Sequence, residues 1–228
     1  MHFRLLLLSS IFILAASFDI SNSDSCEDDS HEDHHHGGHH GGSCPEGFRK
    51  FTRHQGEWCL RVFGNNGVTI SEAEAQSECR KHRAVLSGVQ TRAEVDYVYS
   101  QAISLLYKMG KTEGTTMIGL KRKPSCTTPG DQTWKDKPEC QPVTTNSFYW
   151  TDENTLGWEG VTWDALKPDN AWLDQDCAFM YIFEKKNHPE TTIVPKSIDD
   201  CSCDNNPTEA PTDFYRPFTY VCGRRATR

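Results

Sequence analysis

The sequence predicts an α+β fold, two helices packed on small antiparallel sheets with a long irregular loop region, and three observations carry that expectation. Helical periodicity is confined to the first half of the chain, β-type runs fill the second, and ten cysteines can crosslink what lies between. In "TISEAEAQSECRKH", Ser71 and Glu74 form a capping box while Ala73, Gln76 and Cys79 recur at helical spacing. In "TRAEVDYVYSQAISLLYKMG", Thr91 and Glu94 form a second box. Val95, Val98, Ala102, Leu105 and Leu106 make its apolar stripe, and Gly110 is placed to end the helix. The runs "TTMIGL", "SFYWTD", "CAFMYIFE" and "FTYVCG" then read as short strands between Pro- and Gly-rich segments. Between Lys121 and Asn146 no element is legible, and a local disulfide between Cys126 and Cys140 would hold the two arms of such an insertion together.

The chain opens with a basic Arg4, an apolar run from Leu5 to Ala16 and small residues suited to cleavage, so residues 1–17 are expected to be a signal peptide. The run is shorter than the ~20 apolar residues that span a bilayer, so no stable membrane anchor is expected. Secretion agrees with the even set of ten cysteines, which in an oxidising compartment implies a disulfide framework. Structural zinc is disfavoured, because Cys201 and Cys203 are separated by one residue where zinc knuckles use C-x₂₋₄-C. A net charge of −8 disfavours nucleic acid.

Residues 18–43 hold "DSCEDDSHEDHHHGGHHGGS", with six histidines and almost nothing apolar, and are expected to form a disordered His- and acid-rich linker. Its imidazoles have the chemistry to chelate Zn²⁺, Cu²⁺ or Ni²⁺ without a fold. One domain is expected from residue 44 to 223, followed by a short tail over 224–228.

Taken as an ordered set, "CPEGF", "WCL", "SEAEAQSEC", "MIGL", "FYWTD", "WDALKPDN", "DQDC", "IDDCSC" and "YVCG" resemble the long-form C-type lectin-like domain family across nearly all of Cys44 to Gly223. The resemblance implies pairings that spacing alone cannot supply: Cys44 with Cys59, Cys79 with Cys222, and Cys177 with Cys203. Cys126 with Cys140 is then local. Cys26 and Cys201 remain; they could pair with each other, or Cys26 could link two chains into a dimer.

The resemblance also implies a calcium and sugar site, at positions that here read Lys167, Asp169, Gln175, Asp199 and Asp200. Calcium needs oxygen ligands with net negative charge, which Asp169, Asp199 and Asp200 can supply, with Gln175 offering a neutral amide oxygen. Lys167 cannot ligate. A unit positive charge about 5 Å from a divalent cation costs roughly 6 kcal/mol at an effective dielectric near 20, and even half of that is about two decades of affinity. Two arrangements follow: the ammonium takes the place of calcium among the aspartates, or all four charges stay separately solvated. Four tryptophans crowd this part of the sequence. The resemblance makes Trp150 and Trp163 core residues and leaves Trp158 and Trp172 as candidates for ligand contact.

No enzyme activity is expected. No G-x-S-x-G elbow or H-E-x-x-H helix is legible, and the domain's own histidines, His54, His82 and His188, stand singly. The function expected is a secreted recognition module in innate defence that binds a glycan or an extracellular protein without calcium. The alternative is a calcium-dependent carbohydrate-binding lectin.

Overall fold

The computed structural model describes residues 42–127, 130–204 and 212–227. The expected signal segment, nearly all of the His-rich linker and Cys26 lie outside the described residues. The two helices form where the sequence places them. α1 spans Glu72–Lys81 and starts on a complete capping box: the Ser71 hydroxyl accepts the Glu74 N–H, and the Glu74 carboxylate accepts the Ser71 N–H. Its buried face differs from the expected one. Ala75 and Cys79 are buried and Ala73 is exposed, because the i, i+4 pair turns Cys79 toward its disulfide partner on the last strand.

α2 spans Arg92–Lys108, is capped by the Thr91 hydroxyl, and buries Val95, Val98, Ala102 and Leu106. The second expected capping box is not made. The Glu94 carboxylate turns away from Thr91 and binds Arg53 through Oε1 at 2.8 Å and Oε2 at 2.9 Å, while Oε2 also accepts the Gln90 N–H.

Among the described residues eight strands form one mixed sheet: β1 Arg49–Arg53, β2 Gly56–Gly64, β3 Val85–Leu86, β4 Glu113–Arg122, β5 Phe148–Trp150, β6 Cys177–Phe183, β7 Ile198–Cys201 and β8 Pro217–Arg225. The order is β1-β2-β8-β4-β6-β7, with β3 on β8 and β5 on β4. Every pairing is antiparallel except β4 with β8, so the small antiparallel units expected from sequence are joined into one sheet by a parallel seam. All seven residues of β6 are buried, as a strand covered on both faces requires.

Alternation assigns the two faces. Ile118, Leu120, Met180, Ile182 and Val221 point into the core beneath α2. Met117, Phe179, Tyr181, Phe183 and Tyr220 point into a second core that contains Ala75 and Cys79 of α1. β8 runs through Arg225, two residues past the expected end of the domain at Gly223.

Among the described residues four disulfides close: Cys44–Cys59, Cys79–Cys222, Cys126–Cys140 and Cys177–Cys203. Cys201 is buried on β7, opposite Cys177 in the ladder with β6. The insertion after β4 is more ordered than the sequence suggests. Three one-turn 3₁₀ segments and a one-turn helix, α3 (Val143–Asn146), wrap around Trp134, which packs fully buried against the Cys126–Cys140 bridge. A disulfide and one large ring supply the segment with its own small core. Among the described residues no helix is long and apolar enough to cross a membrane.

Candidate functional site

The site forms where the edge strand β7 meets the loop from Trp163 to Gln175. Successive side chains of a strand point to opposite faces, so Asp199 and Asp200 leave β7 in different directions and meet different partners. Asp199 accepts the Tyr181 hydroxyl through Oδ2 at 2.6 Å, and its Oδ1 lies 3.2 Å from the Lys167 ammonium. The same ammonium lies 3.2 Å from Asp169 Oδ1. Asp200 takes the Asp169 N–H on Oδ1 at 3.0 Å and the Asn170 N–H on Oδ2 at 2.7 Å, which pins the loop backbone to the strand. Asn170 adopts a left-handed φ of 51° there, a conformation that asparagine tolerates better than most residues.

Asp200 is neutralised by a residue the sequence reading missed. Arg122, at the end of β4, donates from Nη2 to Asp200 Oδ2 at 2.7 Å and to the Gln175 carbonyl at 2.9 Å, and its Nε reaches Asp176 at 3.1 Å. Its guanidinium stacks between Trp134 at 4.1 Å and Phe148 at 4.7 Å. Charge accounting held the one available signal: a buried acidic pair beside a single lysine calls for a second cation. Nothing local marks Arg122 as that cation.

Burial shapes the electrostatics. It pushes the Asp199 carboxyl up to about 7 against the opposing pull of Lys167 and the Tyr181 hydroxyl. Burial likewise raises Asp200, against Arg122 and the two loop N–H groups. Desolvation would lower the Lys167 ammonium, but Asp199 and Asp169 outweigh it and hold the group above its ordinary value. The tyrosine hydroxyl of Tyr181 is raised by burial and by Asp199.

A pH dependence follows from the sign of the Asp199 shift. The folded carboxyl keeps its proton to about 7 whereas the unfolded one releases it near 3.8, so the folded state binds more protons between those values. Stability is lost as the pH rises through that window. Thermal melting of wild type and Asp199→Asn from pH 4 upward checks this: wild type should lose stability relative to the variant on the way to pH 7, and parallel curves would show that Asp199 titrates normally.

The remaining candidate residues divide. Gln175 is buried, and its side-chain Oε1 has no hydrogen-bond partner among the described residues. Trp150 and Trp163 are partly buried against the main core, and so is Trp158, which tilts against Trp150 at 5.4 Å. Trp158 is therefore not on the exposed rim. Trp172 is 70% exposed, beside Leu173 and a Leu166 that is 94% exposed. All three have positive φ, between 60° and 66°, which is unfavourable for such side chains. The loop holds apolar groups outward at a conformational cost, a pattern found at binding surfaces.

The chain matches the family described as C-type lectin domain-containing protein 141/158 over residues 49–225. Among solved structures it is similar to the C-type carbohydrate-recognition domain of cow CD23, crystallised with a GlcNAc2Man3 oligosaccharide, at 16% identity over 82% of this chain and 99% of that one, with a TM-score of 0.48. The C-type lectin CEL-I of Cucumaria echinata is similar at 21% identity over 79% of this chain and 96% of its own, TM-score 0.49. A calcium-independent type II antifreeze protein is similar at 18% identity over 82% of this chain and 98% of its own, TM-score 0.47.

Proposed function

Because this chain belongs to the C-type lectin domain-containing protein 141/158 family, whose members are lectin-like binding domains, we propose that it is a secreted recognition module that binds a glycan or an extracellular protein without calcium. The contact surface is the loop from Trp163 to Gln175, with Trp172 as its exposed aromatic anchor. One observation carries the reading: the Lys167 ammonium lies 3.2 Å from both Asp169 and Asp199, inside the carboxylate cluster that a calcium ion would need. With Asp200 given to Arg122 and to two backbone N–H groups, the donor set as arranged does not fit the ion. The ammonium does the organising instead, tying the loop to β7.

A second reading, the calcium-dependent lectin, draws on the same cluster. Ligand oxygens of Asp169, Asp199 and Asp200 lie within 4.8 Å of one another, and the Gln175 Oε1 is buried without a partner among the described residues. A glycan array with and without a chelator separates the two, since binding abolished by the chelator would favour the lectin.

Mutation tests the role of Lys167. Lys167→Glu with Gln175→Glu replaces one cation and one neutral group by two anions. The variant is expected to bind calcium at roughly millimolar affinity, the level of extracellular modules. Without calcium it should melt below wild type, because the aspartates lose a cation and repel one another. A wild type whose melting temperature already rises in about 10 mM calcium, roughly tenfold over such a constant, would remove the calcium-independent reading.

A further inference from the structure

A separate cleft of about 440 Å³ opens between the end of β8 and the loop after β5, and no residue of the Lys167 cluster lines it. Arg83, Arg224 and Arg225 face it together with Asp152 and Glu153, and Trp58 lies in its lining. Tertiary structure brings the arginines together. Arg83 follows α1, while Arg224 and Arg225 end β8, whose ladders with β2 and β3 place Arg225 opposite Trp58 and Gly223 opposite Val85.

None of the three guanidiniums forms an ion pair with a carboxylate among the described residues. Arg224 and Arg225 each donate to a backbone carbonyl, of His82 and Gln55 respectively, both at 3.2 Å. The Nε of Arg224 is buried without a hydrogen-bond partner among the described residues. Of the two acids in the lining, Asp152 is already spent. Its Oδ1 accepts the N–H groups of Asn154 and Thr155, and its Oδ2 accepts those of Gly88 and the Ser87 and Thr155 hydroxyls. Three cations therefore face one available carboxylate, Glu153, in a chain whose net charge is −8. Clustered like charges repel unless an anion joins them, and the planar fork of arginine matches a tetrahedral oxyanion with paired donors.

We propose that this cleft binds a sulfate group carried on a saccharide. Sulfate esters are the tetrahedral oxyanions common on extracellular polysaccharides, and a domain closed by four disulfides suits that compartment. The site works independently of Lys167.

Calorimetry on the full chain with a heparin-derived octasaccharide, its desulfated counterpart and a mannose phosphate tests the assignment. The sulfated octasaccharide should bind, and bind more weakly as NaCl rises. Arg83→Ala with Arg225→Ala, two exposed positions, should weaken it by roughly tenfold or more at an unchanged melting temperature. Glu153→Gln should tighten it, a gain that damage to the fold would not produce. Lys167→Glu should leave it unchanged, so a failure here is distinct from a failure of the loop surface. Equal binding of the desulfated sugar or of the phosphate, or arginine variants that bind like wild type, would overturn the proposal.

Discussion

Arg53→Met is expected to cost the domain about 3 to 5 kcal/mol, the usual penalty for breaking one side of a buried ion pair. Arg53 and Glu94 both have fully buried side chains and meet through two parallel hydrogen bonds. The same guanidinium donates to Asn154 Oδ1, to the Thr155 hydroxyl and to the Gly88 carbonyl, at 3.0 to 3.2 Å, and sits 5.1 Å from the centre of the Trp58 ring. Removing it leaves the Glu94 carboxylate buried without its cation and releases the loop that carries Asp152 to Thr155. Domains hold only about 5 to 15 kcal/mol in total, so most of the margin disappears. Urea melts should show it, and Arg53→Met with Glu94→Gln should recover part of the loss because no charge is then stranded. The exposed pair Glu78–Lys81 provides the contrast: its removal should cost about 0 to 1 kcal/mol. An Arg53→Met protein that melts with wild type would mean that water or another cation compensates Glu94.

The second large effect is expected from opening the Cys79–Cys222 bridge. It closes 143 residues of chain, against 14 and 15 for Cys126–Cys140 and Cys44–Cys59. A bridge acts mainly by restricting the unfolded chain, and its effect grows with the logarithm of the loop. Replacing both cysteines by Ser should cost roughly 2 to 5 kcal/mol, near the upper end for this long loop. It also unties α1 from β8 in the core that holds Tyr181 and Phe179, so both cores are expected to loosen together. The Cys126→Ser, Cys140→Ser protein is expected to lose less and to loosen chiefly around Trp134. Thermal melting of the two variants ranks the bridges. If the long bridge proved the weaker of the two, residual structure in the unfolded chain would have to be holding those ends close.

By itself the sequence determined the features written into short stretches of chain. The two helices, their N-caps at Ser71 and Thr91, the runs that form β4, β5, β6 and β8, and the acidic pair Asp199-Asp200 all rest on residues within a turn or two of one another, whereas β1, β2, β3 and β7 were not legible. Family resemblance extended this to the cysteine pairs that the structure closes. Tertiary structure decided whatever depends on partners far apart in the chain. Glu94 reads locally as a capping residue, yet Arg53, 41 positions away, outcompetes Thr91 for it because a buried carboxylate gains more from a guanidinium than from a backbone N–H. Arg122 reaches Asp200 across 78 positions, and nothing near either residue records the contact. The three arginines of the cleft come from the end of a helix and the end of a strand, and only the β2, β3 and β8 ladders make them neighbours. Lys167 was legible as a cation where calcium chemistry wants an anion. That its ammonium bridges Asp169 and Asp199 depended on the geometry of a loop whose left-handed residues and apolar rim no periodicity encodes, because a strained backbone is held by the packing around it and not by its own sequence.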